Sequence, residues 1–161
     1  ATFDQLRVWQ AGAVAGRQRS DLGVVVPFLL VGAGLAVIAS GPLNAIALGD
    51  DVARSLGTRV GFVRVVVVLA VTLLAGGATA IAGPIAFIGL MTPHIARWIV
   101  GVDQRSILVM SMISASLLMV ASDVLGRVIA RPQEVPVGIV TAFVGAPVLM
   151  LLVRRRRASA S

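Results

Sequence analysis

The chain offers few side chains that could carry out chemistry. Its 161 residues include one histidine, His94, and seven acidic residues, with no cysteine, no tyrosine and no lysine. Without lysine there is no Walker A loop and no Schiff-base chemistry. Without cysteine there is no thiolate nucleophile, disulfide or Cys-ligated metal. One histidine cannot form a multi-histidine site, so neither a catalytic constellation nor a metal centre is expected within this chain.

The charged residues that remain are concentrated in a few places. Asp123 and Arg127 stand four residues apart with the acid N-terminal, which favours an ion pair on one helix. Asp50 and Asp51 follow a glycine and are candidates to cap a helix. The basic run Arg154–Arg157 is expected to anchor the chain near anionic lipid. Nucleic-acid binding is the alternative for that run, and no folded polar domain accompanies it.

Most of the sequence is apolar. Hydrophobic residues make up 58% and charged residues 13%, and the mean hydropathy is +0.98. A soluble domain carries about 45–50% apolar and about 25% charged residues. One small core could not bury so many apolar side chains, so lipid is the expected solvent. The predicted fold class is an all-α integral membrane protein, a polytopic helical bundle of about five transmembrane helices.

Five stretches are long enough to cross a hydrocarbon layer of about 30 Å as helices, although the third is at the lower limit. Residues 1–21 are interpreted as the end of an earlier membrane helix plus a short extracytoplasmic helix, so the chain is expected to be a fragment or a processed piece. The predicted spans are 22–40, 62–82, 84–100, 107–129 and 135–153, with a polar segment at 41–61 and a basic tail at 154–161.

The polar segment 41–61 carries its own helical pattern. Apolar residues share one helical face before Gly49 and another face after it. Gly49 is expected to break the helix, and Gly57 supplies a natural stop. The pattern predicts two short amphipathic helices on the membrane surface. A simple solvated connector is the alternative.

The arginines indicate how the chain is oriented. With five crossings, the side that holds the 41–61 segment and the C-terminus carries nine of the 14 arginines: Arg54, Arg59, Arg64, Arg97, Arg105 and Arg154–Arg157. Loops rich in arginine face the cytoplasm. That side is therefore predicted to be cytoplasmic, although Arg17 and Arg19 on the opposite side argue against it.

Several stretches resemble one family, in the same order along the chain. Residues 43–57 resemble the cytoplasmic coupling segment of the iron-siderophore and cobalamin ABC-importer permeases, the FecCD-type family. Residues 82–97, AGPIAFIGLMTPHIAR, resemble that family's most recognisable stretch. Further blocks resemble its next cytoplasmic turn, its last helix and, more loosely, an earlier Trp-containing motif: 101–105, 134–147 and 9–16. Residues 41–61 are called the coupling segment below.

The resemblance implies a transport subunit rather than an enzyme. Family members have ten membrane helices, and this chain resembles the C-terminal half of such a type II importer permease. Import of a ferric-siderophore, cobalamin or haem-like substrate across the bacterial plasma membrane is implied. The implied partners are cytoplasmic ATPase subunits that bind ATP, an extracytoplasmic substrate-binding protein, a second permease subunit and membrane lipid. No cofactor of its own and no nucleic acid are expected.

The resemblance also implies roles for individual residues. The ATPase-coupling residues are expected to be Leu48, Gly49, Asp50, Asp51, Arg54, Leu56 and Gly57. The binding protein is expected to dock on Arg127 and Arg131, with a purely structural pair to Asp123 as the alternative. The translocation path is expected to follow Gly138, Thr141 and Gly145, which close helix packing would explain equally well. The family's structural motif comprises Gly83, Pro84, Phe87, Gly89, Pro93 and His94.

Within that motif the prolines and the histidine allow specific expectations. Pro84 is expected to start a helix at its first turn, and Pro93 to free the carbonyl of Gly89. His94 is expected near the cytoplasmic end of this helix, hydrogen-bonded between helices. A proton or substrate contact is the alternative role for His94.

A second function class is a secondary transporter or channel that needs no ATPase. Such a protein requires acidic or histidine coupling residues inside the membrane. Only Asp123 and His94 are available for that role. An integral-membrane enzyme is the third class, and no set of residues supports it.

Overall fold

The computed structural model describes residues 2–10, 19–131 and 135–158, and these residues form α-helices and no strands. The helices are α1 Thr2–Gln10, α2 Arg19–Ala47, α3 Asp50–Ser55, α4 Val60–Ala82, α5 Ile88–Val100, α6 Gln104–Ile129 and α7 Val137–Ala158. The expected all-α fold is confirmed.

Four of these helices, α2, α4, α6 and α7, are long and apolar enough to cross a membrane, judged by length and composition. They bury little of that apolar surface against one another. Helix α4 buries only three of its 23 residues, Val60, Val63 and Ala70. Apolar surface exposed on this scale requires lipid or further protein around it. The chain is therefore a multi-pass membrane protein.

Helices α2 and α4 form an antiparallel pair that meets at glycines. A Cβ atom on Gly32 would lie 3.0 Å from Leu74 Cγ, and one on Gly77 would lie 2.9 Å from Leu29 Cδ2. Later residues of α4 thus contact earlier residues of α2, which requires the chain to reverse between them. The two glycines allow the helices to approach this closely.

The predicted crossing over residues 84–100 is not a single continuous helix. Helix α5 has 13 residues and a length of about 20 Å, short of the about 30 Å of a hydrocarbon layer. Irregular residues 83–87 precede it. Gly83 and Phe87 have φ values of 74° and 70°, which interrupt the helix until Ile88. Pro84 therefore does not start the helix, and that prediction is wrong.

The coupling segment and the turn 101–103 lie at the same end of the bundle, called the coupling end below. Asn44 Nδ2 donates a hydrogen bond of 2.7 Å to Asp103 Oδ1 and so joins the two. Because α4 leaves this end, residues 83–100 must return to it. Helix α6 then leaves it again, and α7 comes back: a Cβ on Gly126 would lie 3.0 Å from the Val135 carbonyl oxygen.

The helix bounds differ from the predicted spans at several points. Helix α2 continues through Pro42 to Ala47, so the first expected helix of the coupling segment is the last part of α2. Helix α7 continues through the arginine run to Ala158. Helix α1 covers part of the predicted 1–21 unit, and residues 11–18 lie outside the described residues.

Candidate functional site

Helix α3 is bounded by two glycines in backbone conformations that other residues rarely adopt. Gly49 stands at the N-cap with φ 112° and ψ 148°, and Gly57 follows the helix with φ 83°. Gly57 N–H donates to the Arg54 carbonyl at 3.0 Å and Thr58 N–H to the Ala53 carbonyl at 2.9 Å, the two bonds of a Schellman motif. The break at Gly49 and the stop at Gly57 are both present in the structure.

Asp50 and Asp51 lie in the first turn of α3, where the helix dipole favours acids, but the predicted side-chain cap is absent. Gly49 occupies the N-cap, with no side-chain hydrogen bond there. Asp50 instead accepts from Arg64 Nη2, at 2.8 Å and 3.0 Å to its two oxygens. The side chains are 38% and 61% exposed, so the pair contributes at most about 1 kcal/mol. Its effect is to fix the start of α3 against the second turn of α4.

Three large apolar side chains are exposed in and beside α3: Val52 within the helix, Leu56 at its C-cap and Leu48 just before Gly49. They are called the apolar ridge below. These side chains are 44%, 65% and 68% exposed, respectively. Ala53, the residue after Val52, is fully buried. Asp51 and Arg54 are exposed beside the ridge. Helix α3 and its two flanking leucines therefore bury an alanine and expose larger apolar side chains, which is the pattern of a contact surface.

The predicted docking arginines lie at the end of the bundle opposite the coupling end. Arg127 Nε donates to Asp123 Oδ2 at 2.9 Å, and the side chains are 54% and 34% exposed. Arg131 is exposed in the turn that follows α6. Helix α6 starts at Gln104 beside Asn44, and 23 residues of helix place Arg127 about 35 Å away. The expected ion pair is present, and about half of Arg127 remains exposed.

The three residues assigned to the translocation path occupy different environments. Gly138 helps line an open groove of about 650 Å³, together with residues such as Pro84 and Phe143. Thr141 is 4% exposed and donates to the Gly138 carbonyl at 3.0 Å. Gly145 is buried and faces Phe87, where an added Cβ would lie 2.5 Å from the Phe87 Cβ. Only Gly138 lines this groove; Thr141 and Gly145 pack inside the chain.

The structural motif places His94 differently from the expectation. His94 is the seventh of the 13 residues of α5, in its middle rather than near its end. Its Nδ1 donates to the Leu90 carbonyl of the same helix at 2.9 Å, because a carbonyl oxygen can only accept. Pro93 lies inside α5 and has no N–H for the Gly89 carbonyl, as predicted.

Three further polar residues of the coupling end were not singled out by the sequence: Asn44, Arg64 and Asp103. Asn44 joins the end of α2 to the start of α6. Asp103 caps α6, since its Oδ2 accepts from Ser106 N–H at 2.9 Å and from Ser106 Oγ–H at 2.8 Å. The sequence does carry a signal for the cap, an aspartate three residues before a serine at the start of an apolar run.

The hydrogen bonds also act on the charge of Asp103. The Ser106 N–H, the Ser106 hydroxyl and the Asn44 amide all donate to its carboxylate and hold its pKa below the ordinary value of 3.8. Asp103 is therefore ionised at physiological pH. Within the described residues no group of three or more His, Cys, Asp or Glu side chains could hold a metal ion.

The chain is similar to known transport proteins. The FecCD transport family matches it over residues 1–155. The ferric enterobactin transport system permease protein FepD of Escherichia coli K12 is 50% identical over 155 residues, covering 96% of this chain and 46% of FepD. The Fe(3+)-citrate import system permease protein YfmD of Bacillus subtilis 168 is 40% identical over 149 residues, 92% of this chain and 45% of YfmD.

A solved structure agrees with these sequence matches. It is an inward-facing conformation of a transporter assigned to the metal-chelate ABC type, with a TM-score of 0.83 and 27% sequence identity. The match covers 94% of this chain and 49% of that one. The chain spans about half the length of the curated relatives it matches.

Proposed function

The chain belongs to the FecCD transport family, and from that premise we propose that it forms part of the permease subunit of an ATP-binding-cassette importer. The relatives FepD and YfmD are named for ferric enterobactin and ferric citrate. The proposed substrate is accordingly a ferric siderophore, carried inward across the bacterial inner membrane. Cobalamin and haem-like chelates are the alternative substrates, and an uptake assay can compare them with the ferric siderophore.

The observation that carries the proposal is the separation of two exposed surfaces by the length of the bundle. The apolar ridge of Leu48, Val52 and Leu56 lies at the coupling end. Arg127 and Arg131 lie at the opposite end, about 35 Å away by the length of α6. An importer that is powered from the cytoplasm and supplied from outside needs one partner surface at each end.

The apolar ridge is the proposed contact for a cytoplasmic ATPase subunit. The arginine distribution predicts that this end faces the cytoplasm. Three large, exposed apolar side chains favour a protein partner over water. Asp51 and Arg54, exposed beside the ridge, supply polar contacts at its rim, where interfaces are polar. Asp50 belongs to the internal support of α3, because Arg64 binds it.

Arg127 and Arg131 are the proposed contacts for an extracytoplasmic binding protein. A guanidinium group binds carboxylates through fixed parallel donors, so acidic side chains are the expected partners. The ion pair with Asp123 keeps Arg127 close to its helix while about half of it stays exposed. Delivery of substrate at this end would feed the groove beside Gly138, the proposed wall of the path. Because that groove is open, a second permease subunit is the proposed partner on this side.

An ATPase-independent transporter is less well supported. Its coupling residues would have to change protonation or bind an ion inside the membrane. Asp123 forms an ion pair with Arg127, and His94 donates to its own helix. Neither group is arranged for such a cycle. ATP binding and hydrolysis are proposed to belong to a separate subunit, because the described chain has no lysine for a Walker A loop.

Co-purification from membranes tests the ATPase contact. The protein as its gene encodes it is expressed with the neighbouring ATPase subunit, and Leu56→Glu is compared with Ile129→Glu. Ile129 is also exposed, at 77%, but lies at the opposite end of the bundle. Loss of an apolar contact of the ridge should lower ATPase recovery about tenfold or more with Leu56→Glu and leave it unchanged with Ile129→Glu. Equal recovery from the two variants would contradict the proposed contact.

A further inference from the structure

A hydrogen-bonded link joins the coupling segment to the turn between α5 and α6. Asn44 Nδ2 donates to Asp103 Oδ1 at 2.7 Å. Asn44 Oδ1 accepts from the Gln104 backbone N–H at 2.8 Å. Both ends of one amide are therefore used, and they bind adjacent residues 59 and 60 positions further along the chain.

The link also bonds one N–H group at the start of α6. The first four N–H groups of a helix have no partner within it. Asp103 satisfies one of them, the Ser106 N–H, from within its own segment. Asn44 satisfies another, the Gln104 N–H, from a different helix. The Gln104 N–H is thus bonded only while α2 stays in place beside α6.

Asn44 attaches the coupling segment to α6 on the N-terminal side of Gly49. Asn44 lies in the final turn of α2, five residues before Gly49, in helix that continues to Ala47. On the other side of Gly49, Asp50 is bound to Arg64 of α4. The coupling segment is thereby attached to α6 before its glycine and to α4 after it.

We propose that Asn44 is a positioning residue that makes the coupling segment and the 101–103 turn move as one unit, so that displacement of α3 by an ATPase reaches α6 directly. This inference rests on the proposed function. Without the link, α3 could still receive the ATPase, but its movement would reach α6 only through the packing of α2 against it. ATP hydrolysis would then continue with less transport.

The test uses the protein as its gene encodes it, assembled with its ATPase and binding protein in proteoliposomes, with ferric enterobactin as the probe. Uptake and ATP hydrolysis are measured together, and their ratio is the readout. Asn44→Leu removes both bonds. Asn44→Asp keeps the acceptor for the Gln104 N–H but places a second carboxylate against Asp103, where like charges repel. Ser116→Ala is the control, because the Ser116 hydroxyl donates within its own helix, at 2.8 Å to the Met112 carbonyl, and takes no part in the link.

A reciprocal exchange provides the rescue. In Asn44→Asp combined with Asp103→Asn, the carboxylate at position 44 accepts from the Gln104 N–H and from the new amide at position 103. That amide's oxygen accepts from the Ser106 N–H and hydroxyl. Every bond of the link can form again, and the single negative charge remains beside the start of α6.

The two single variants should lower uptake per ATP hydrolysed by about two- to thirtyfold, the range of measured coupling effects, with the ATPase still bound. The double variant should restore the ratio, and Ser116→Ala should leave it unchanged. If the single variants only lower the Tm while the ratio stays at its original value, Asn44 has a structural role and the inference is wrong. Failure of the proposed function looks different: the unaltered assembly would then show no ATP-dependent uptake, and both proposals would fall.

Discussion

Phe87 and Gly145 are in such close contact that position 145 has no space for a side chain. Phe87 is the N-cap of α5 with φ 70° and no side-chain capping bond, a conformation that costs about 1–3 kcal/mol outside glycine. The buried Gly145 faces its Cβ. Because the Phe87 Cβ is attached directly to this strained backbone, it cannot move aside as the end of a flexible side chain could. The tertiary contact with α7 therefore helps to hold the interruption between α4 and α5.

Gly145→Ala should destabilise the protein by about 1–3 kcal/mol, the usual cost of overpacking. The added Cβ would stand 2.5 Å from the Phe87 Cβ, so α7 or residues 83–87 must shift. Thermal unfolding in detergent measures the effect as a fall in Tm. Gly76→Ala is the matched control, because nothing lies within 4 Å of a Cβ there. Equal Tm values for the two variants would refute the contact.

The charge of Asp103 predicts a defined pH dependence. Its pKa is lowered in the folded protein from 3.8, so its stabilising effect is fully present above that value and is lost as the pH falls through the folded pKa. The difference in Tm between the original protein and Asp103→Asn should be constant from about pH 5 to 8 and should shrink below pH 3.8. A difference that changes between pH 5 and 8 would contradict the assigned hydrogen bonds.

At the scale of helices, the sequence predicts where the apolar helices lie better than it predicts the residues at which they begin and end. The apolar stretches locate α2, α4, α6 and α7 correctly, because hydropathy reports which residues need lipid. The ends depend on other contacts. Helix α2 continues past Ser40 to Ala47, because Gly41 and Pro42 do not end it. Helix α5 starts late because of Phe87, whose left-handed backbone no local preference would predict.

The coupling segment likewise has some features that the sequence predicts and others that it does not. Gly49 and Gly57 are predictable from the sequence because their role is local: glycine alone adopts those φ values without strain. The asparagine link and the Asp50–Arg64 pair connect residues 59 and 14 positions apart. Such pairings depend on which helices become neighbours, and local patterns in the sequence do not show this. For this reason Asp50 was expected at the cap and is found bound to α4.

Gly49→Ala tests whether α3 needs its sharp entry. A side chain at φ 112° is strained by about 1–3 kcal/mol, so the backbone should relax and turn α3 away from α4. Recovery of the ATPase subunit on purification should fall, together with the Tm. Gly41→Ala is the control, since Gly41 lies inside α2 with nothing within 4 Å of an added Cβ. A Gly49→Ala protein that binds ATPase as well as Gly41→Ala would contradict the role of this turn.

At the scale of the whole molecule, the chain is a helical bundle with an apolar outer surface, and most of its charged residues lie near its two ends. The sequence predicts the apolar surface, because 58% of its residues are hydrophobic. It also predicts that the coupling segment and the 101–103 turn share one side, and the bond from Asn44 to Asp103 places them together. Which side faces the cytoplasm stays a prediction from the arginine distribution.

Cysteine labelling tests that orientation, because the 161 residues include no cysteine that would compete for the label. Ser55→Cys places a thiol on α3 at the coupling end, and Ile129→Cys places one at the opposite end. A membrane-impermeant maleimide added to spheroplasts should label position 129 and leave position 55 unlabelled. Inverted membrane vesicles should give the reverse pattern. The opposite labelling pattern would invert the assignment of both partner surfaces.

Reconstituted transport tests the central claim most directly. The protein as its gene encodes it is placed in proteoliposomes with its ATPase subunit, with binding protein and radiolabelled ferric enterobactin supplied on the side of Arg127 and Arg131. The proposed function predicts that label accumulates inside only when hydrolysable ATP is present on the side of the coupling segment, and not with a non-hydrolysable analogue. Accumulation that proceeds equally without ATP would contradict an ATP-driven importer.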